Sequence, residues 1–103
     1  MLEFKPFYIH ASRPVFKTDN SRYMHMPRGF TAFIQPSAGD RIINVQIAYC
    51  SAKDQFCKKT GRFQAVRKDY MYMNPRKLGQ FLELAAIKCD IHTNFEYVYK
   101  HLV

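Results

Sequence analysis

The stretch Phe30-Thr31-Ala32-Phe33-Ile34-Gln35-Pro36-Ser37-Ala38-Gly39-Asp40-Arg41-Ile42-Ile43-Asn44-Val45-Gln46-Ile47-Ala48-Tyr49 decides the fold. Residues 42 to 49 alternate: Ile43, Val45, Ile47 and Tyr49 share one side, and Asn44 and Gln46 the other, the period-two pattern of a half-buried strand. The run from Phe30 to Gln35 is equally rich in aromatic and β-branched residues. Between the two lies Pro36-Ser37-Ala38-Gly39-Asp40, in which proline fixes φ, glycine admits positive φ and aspartate can bond nearby backbone. That is turn chemistry, so the pattern predicts a β-hairpin.

Upstream, Phe7 and Ile9 alternate with Tyr8 and His10 as a short strand does, while Pro6, Pro14 and Pro27 interrupt any longer element. A connection from about Ser12 to Arg28 follows, long enough to serve as a binding loop or as a cover for the sheet. Downstream the period changes to helical. Ser51-Ala52-Lys53-Asp54 reads as a helix start and predicts a helix over 52–68. In it Phe56, Phe63 and Val66 form one stripe, expected to pack, and Lys58, Gly61, Arg62 and Ala65 the opposite one. Asn74-Pro75, a cap followed by proline at the first helical position, opens a second helix expected to run to about Cys89. Its core stripe is Leu78, Phe81, Leu82, Ala85 and Cys89, with Leu84 and Ile87 pointing away as an apolar ridge for a partner. Residues 93 to 103 fit a strand through Phe95, Tyr97 and Tyr99 or a helix through Phe95, Val98 and Leu102; Thr93 and Glu96 can form a capping box, which favours the helix. The expected architecture is a single α+β domain over residues 1–103, a short antiparallel sheet from the N-terminal half packed by two or three helices from the C-terminal half.

Composition narrows the class of function. The 103 residues carry 16 Lys and Arg against 8 Asp and Glu, a formal charge of +8, with 48% hydrophobic residues. That is too apolar for a disordered basic tail. No apolar run spans a bilayer, no secretory leader pattern opens the chain, and three cysteines do not make a disulfide scaffold, so a cytoplasmic protein with reduced thiols is expected. The charge is concentrated: residues 51 to 77 hold eight basic and two acidic groups. Such a cluster meets phosphate or an acidic protein surface. Lys53, Lys58, Lys59, Arg62, Arg67 and Lys68 are its expected contact residues, with Gly61 admitting close approach between Lys58 and Arg62. Lys58 and Arg62, four apart, repel each other on a free helix, and an anion relieves that repulsion.

The run from Cys50 to Ala65 also resembles one carried by small, mostly uncharacterised accessory proteins of tailed bacteriophages. In these, Cys is followed by Asp, Phe, two basic residues, Gly-Arg and Ala, here Cys50, Asp54, Phe56, Lys58, Lys59, Gly61, Arg62 and Ala65, with Arg67 as a further basic position. The resemblance covers sixteen of 103 positions. It implies a phage genome and a bacterial cytoplasm as workplace, and no reaction. Small phage proteins commonly bind a host machine, so the expected function is a non-catalytic protein that engages and inhibits a host nucleic-acid-handling or anti-phage defence complex.

Two other readings stand beside it. Direct DNA or RNA binding fits the charge and the tyrosines at 70, 72, 97 and 99, although no helix-turn-helix, RNA-recognition or zinc-finger pattern is present. A small zinc module could draw on Cys50, Cys57, Cys89 and His92, but the Cys50 to Cys57 spacing is wider than in zinc knuckles, and neither metal nor cofactor is expected. For an enzyme, the acidic residues are scattered, no phosphate-binding glycine loop occurs, and Cys50 near a helix start lacks an evident base. Met24, Met26, Met71 and Met73 can either fill the core or form an adaptable contact surface.

Overall fold

The computed structural model describes residues 4–13, 25–37 and 41–102. The expected 12–28 connection and the 36–40 turn fall largely outside these residues. Four strands, β1 (Phe7–Ser12), β2 (Gly29–Pro36), β3 (Ile43–Cys50) and β4 (Met71–Met73), form an antiparallel sheet in the order β1-β2-β3-β4. Helix α1 (Lys58–Ala65) comes between β3 and β4, and a 3₁₀ turn (Pro75–Lys77) leads directly into α2 (Leu78–Lys88). A 3₁₀ helix (Glu96–His101) ends the described chain. The fold is the expected α+β arrangement, with the β2–β3 hairpin in the register Phe30↔Tyr49, Ala32↔Ile47 and Ile34↔Val45.

Because side chains alternate along a strand, the register sorts the sheet into two unlike faces. One carries Phe7, Ile9, Ala11, Phe30, Ala32, Ile34, Ile43, Val45 and Met73. These pack with Leu78, Leu82, Ala85, Ala86 and Cys89 of the α2 region, and with Phe95, Val98 and Leu102. The spacing from Leu78 to Cys89 keeps one helical face on the sheet, and truncating a side chain as buried as Leu78 or Leu82 costs about 2–5 kcal/mol. The Asn74 side chain accepts the Arg76 N–H, as its capping role required. At the other end, Asp90 adopts φ 56°, and the N–H groups of Asp90 and Ile91 bond back to Ile87 and Ala86, a Schellman closure.

The second sheet face carries Tyr8, His10, Thr31, Phe33, Asn44, Gln46, Ala48 and Tyr72. Helix α1 lies on it, touching β2, β3 and β1. Here the structure corrects the sequence reading. The helix starts at Lys58, six residues later than expected, and residues 51–57 approach it through turns and bends, with the Lys53 N–H donating to Ser51 Oγ. Its packing face is also the opposite one: Phe63 and Val66 are 57% and 43% exposed, whereas Ala65 is fully buried and Gly61 abuts Thr31. The surface beneath α1 is largely polar, so small residues that let backbone approach sheet are favoured over large apolar ones.

Gly61 shows the constraint. A Cβ there would overlap Thr31 Oγ1 and sit 2.9 Å from Thr31 Cβ. The hydroxyl has little freedom to turn aside, because it bonds His10 Nδ1 at 2.9 Å. Further along, the buried Gln46 amide donates to the Val66 and Lys68 carbonyls at 3.1 and 2.9 Å, closing the end of α1 onto β3. Sequence reading missed β4 altogether, since three residues show too little alternation to register. Met73 is one of the side chains packed on the core. The C-terminal segment is helical as favoured, but Asn94 Oδ1, not Thr93, accepts the Glu96 N–H, at 2.7 Å.

Gly61→Ala should destabilise the fold by about 1–3 kcal/mol despite the higher helix propensity of alanine. Thermal or urea denaturation checks this, with Thr31→Ala expected to recover part of the loss in the double variant. An unchanged or raised midpoint for Gly61→Ala would remove the close approach from the account.

Candidate basic interface on α1

With the Gly61 and Ala65 side set against the sheet, the rest of α1 faces outward. Lys58, Lys59 and Arg62 on the helix, Arg67 and Lys68 just after it and Lys53 before it are all exposed. Among the described residues, none of the six lies within ion-pair distance of a carboxylate. The cations are therefore solvated charges available to an anion. Gly61 differs from its expected role: the space left by the missing side chain is taken by Thr31 rather than open to a ligand, so its contribution is to seat the helix.

Lys58 and Arg62 lie near enough to β1 for their charges to act on His10. His10, set among Thr31, Phe56 and Tyr8, has its pKa lowered, first by burial and then by the charges of Lys58 and Arg62. Two cations that make a third positive charge unfavourable mark a locally positive patch. At the other end of α1 the charges meet rings. The Arg67 guanidinium lies 4.7 Å from the centroid of the exposed Phe63 ring, and Tyr70 and Tyr72, 57% and 62% exposed, meet edge to face at 6.2 Å.

Two further arginines take no part. Arg13 and Arg28 are buried at the Ser12–Gly29–Cys50 end of the sheet, where Arg28 donates to the Ala52 carbonyl at 2.8 Å and Arg13 to the carbonyls of Pro27 and Cys89. Leu84 and Ile87 are 56% and 51% exposed, as expected, but they belong to α2 on the opposite side of the sheet. The structure does not join them to the cationic surface. Tyr97 and Tyr99 belong to the C-terminal 3₁₀ helix, whose Val98 enters the α2 core.

Between α1 and the end of β3 lies a cavity of ≈ 520 Å³, lined by Cys50, Ser51, Asp54, Thr60, Gln64 and Lys68 among others. The cysteines near it differ. Cys57, just before α1 and exposed, is the low-pKa thiol, held down by the Thr60 N–H, then the Thr60 hydroxyl and the Lys59 N–H. The cysteine at the helix start is thus Cys57 and not Cys50. Cys50 is raised, by burial and then Asp54, and burial pushes Cys89 up to about 11. The four residues considered for zinc do not gather: among the described residues no group of three or more His, Cys, Asp or Glu could hold a metal ion. No described helix is long and apolar enough to cross a membrane. Comparison with protein families, curated proteins and solved structures finds no match for this chain.

Two outcomes follow from these thiols and this histidine. Limiting iodoacetamide at neutral pH should label Cys57 first and Cys89 last, read by peptide mass spectrometry; comparable labelling of Cys89 would contradict its burial. Because the His10 pKa is lower folded than its ordinary 6.5, the unfolded chain takes up the proton first as pH falls. Stability should therefore decline as pH drops below 6.5, and His10→Gln should flatten that slope in denaturation measured between neutral and mildly acidic pH. The same slope in the variant would show that His10 is not its source.

Proposed function

We propose that this is a non-catalytic binding protein, encoded by a phage and working in the bacterial cytoplasm, that engages a host nucleic-acid-handling or anti-phage defence complex and inhibits it. One observation carries the reading: six exposed cations around α1 have no carboxylate partner among the described residues, while Gly61 and Ala65 hold the other side of the helix to the sheet. An acidic protein surface on such a complex is the complementary target for this charge array. The resemblance of the Cys50 to Ala65 run to phage accessory proteins supports the choice of a host complex.

Direct DNA or RNA binding by the same surface is the second reading, favoured by the ring and guanidinium contacts at Phe63, Arg67, Tyr70 and Tyr72. Affinity capture from bacterial lysate, with and without nuclease, separates the two. A host complex that persists after nuclease and is lost with Lys58→Glu/Arg62→Glu, in a variant that still folds, is the expected result. Capture that disappears with the nucleic acid leaves the second reading, and capture unaffected by the double charge reversal removes α1 from the interface.

A further inference from the structure

The exposed rings of residues 63 to 72 call for a partner that cations alone do not explain. Phe63 is more than half exposed although it sits on a helix that packs on a sheet, and Tyr70 and Tyr72 are more exposed than any described aromatic of the core. Their surroundings fix them. Gln46 holds the Val66 and Lys68 carbonyls, which anchors the chain between Phe63 and Tyr70. Tyr72 is held by β4 pairing opposite Asn44, on the same sheet face as Gln46 and two residues from it along β3. Tyr70 and Tyr72 thus pair just beyond α1, and Phe63 stands exposed on the last turn of the helix with Arg67 against its ring, Lys68 lying between Arg67 and the tyrosines in the chain.

We propose that this patch is a stacking platform for the bases of a single-stranded nucleic acid, with Phe63, Tyr72 and Tyr70 offering ring faces and Arg62, Arg67 and Lys68 meeting the phosphates. The inference rests on the nucleic-acid reading of the basic surface and specifies its partner. Stacking needs π faces open to solvent. Tyr70 and Tyr72 meet edge to face rather than stacking on each other, and both are more than half exposed, so ring surface is left open to solvent. A guanidinium plane beside a ring extends such a surface, because bases stack on both. Duplex bases stack on each other and cannot reach these rings, so the single strand is the form the platform selects. An acidic peptide would satisfy the cations and leave three rings in water.

The chain has no tryptophan, so Tyr72→Trp introduces one reporter at the platform. Titration of that variant with oligo(dT) should quench the indole emission, and a duplex of equal length should quench it far less. Phe63→Leu, at an exposed position, should weaken binding of labelled oligo(dT) to the otherwise native protein by about tenfold, comparable to one lost base stack, with the salt dependence unchanged. If neither nucleic acid binds, the nucleic-acid reading falls and the platform with it. If oligo(dT) binds with steep salt dependence but the indole does not respond and Phe63→Leu binds normally, the surface reads phosphate alone and only the platform is overturned. Tighter binding to polyglutamate than to oligo(dT) would also overturn it.

Discussion

The approach of α1 to the polar side of the sheet, at Gly61 against Thr31, is the constraint on which the rest depends. Helices usually bury apolar stripes, and α1 instead presents Gly61 and Ala65 to a surface of Thr31, Ala48 and Gln46. Such a surface cannot gain much from large apolar side chains, and it gains instead from backbone proximity and from an amide that closes the helix end. A glycine within a helix gives up about 1 kcal/mol relative to alanine. Steric overlap with a threonine already bonded to His10 is the larger effect, so glycine is the residue that fits.

That seating determines what faces outward. With the small residues turned inward, Lys58, Lys59 and Arg62 are displayed and Phe63 is left in solvent next to Arg67. An apolar-inward α1 would have hidden Phe63 and Val66 and separated charge from rings. The sheet thereby carries two independent loads: a dry core under α2, which sets stability, and a wet, cationic layer on α1, which is free to serve binding. Substitutions among the six cations should consequently be mild for the fold, since exposed and unpaired charges contribute little to it.

Much of this was legible in the sequence. The alternation at 43–49, the turn chemistry at 36–40 and the cap at Asn74-Pro75 each have a local cause, and β2, β3 and α2 follow them closely. The basic cluster was visible because charge count needs no tertiary information. The face of α1 was not legible, because hydrophobic periodicity assumes an apolar surface beneath the helix, and the relevant surface is polar and comes from residues twenty to thirty positions away. Nor was β4, whose three residues gain their strand identity from pairing with β3. The platform went unrecognised for a related reason: Phe63 read as core, so its pairing with Arg67 had no sequence signal beyond the spacing of four residues.

The central claim is that one surface, residues 58 to 72, meets the target and that α2 does not. Amide chemical-shift mapping during titration with oligo(dT) tests it most directly. The account predicts perturbations concentrated from Lys58 to Tyr72 and at His10, with the amides of Leu84 and Ile87 unmoved. Perturbations centred on α2, or spread evenly over the molecule, would contradict it.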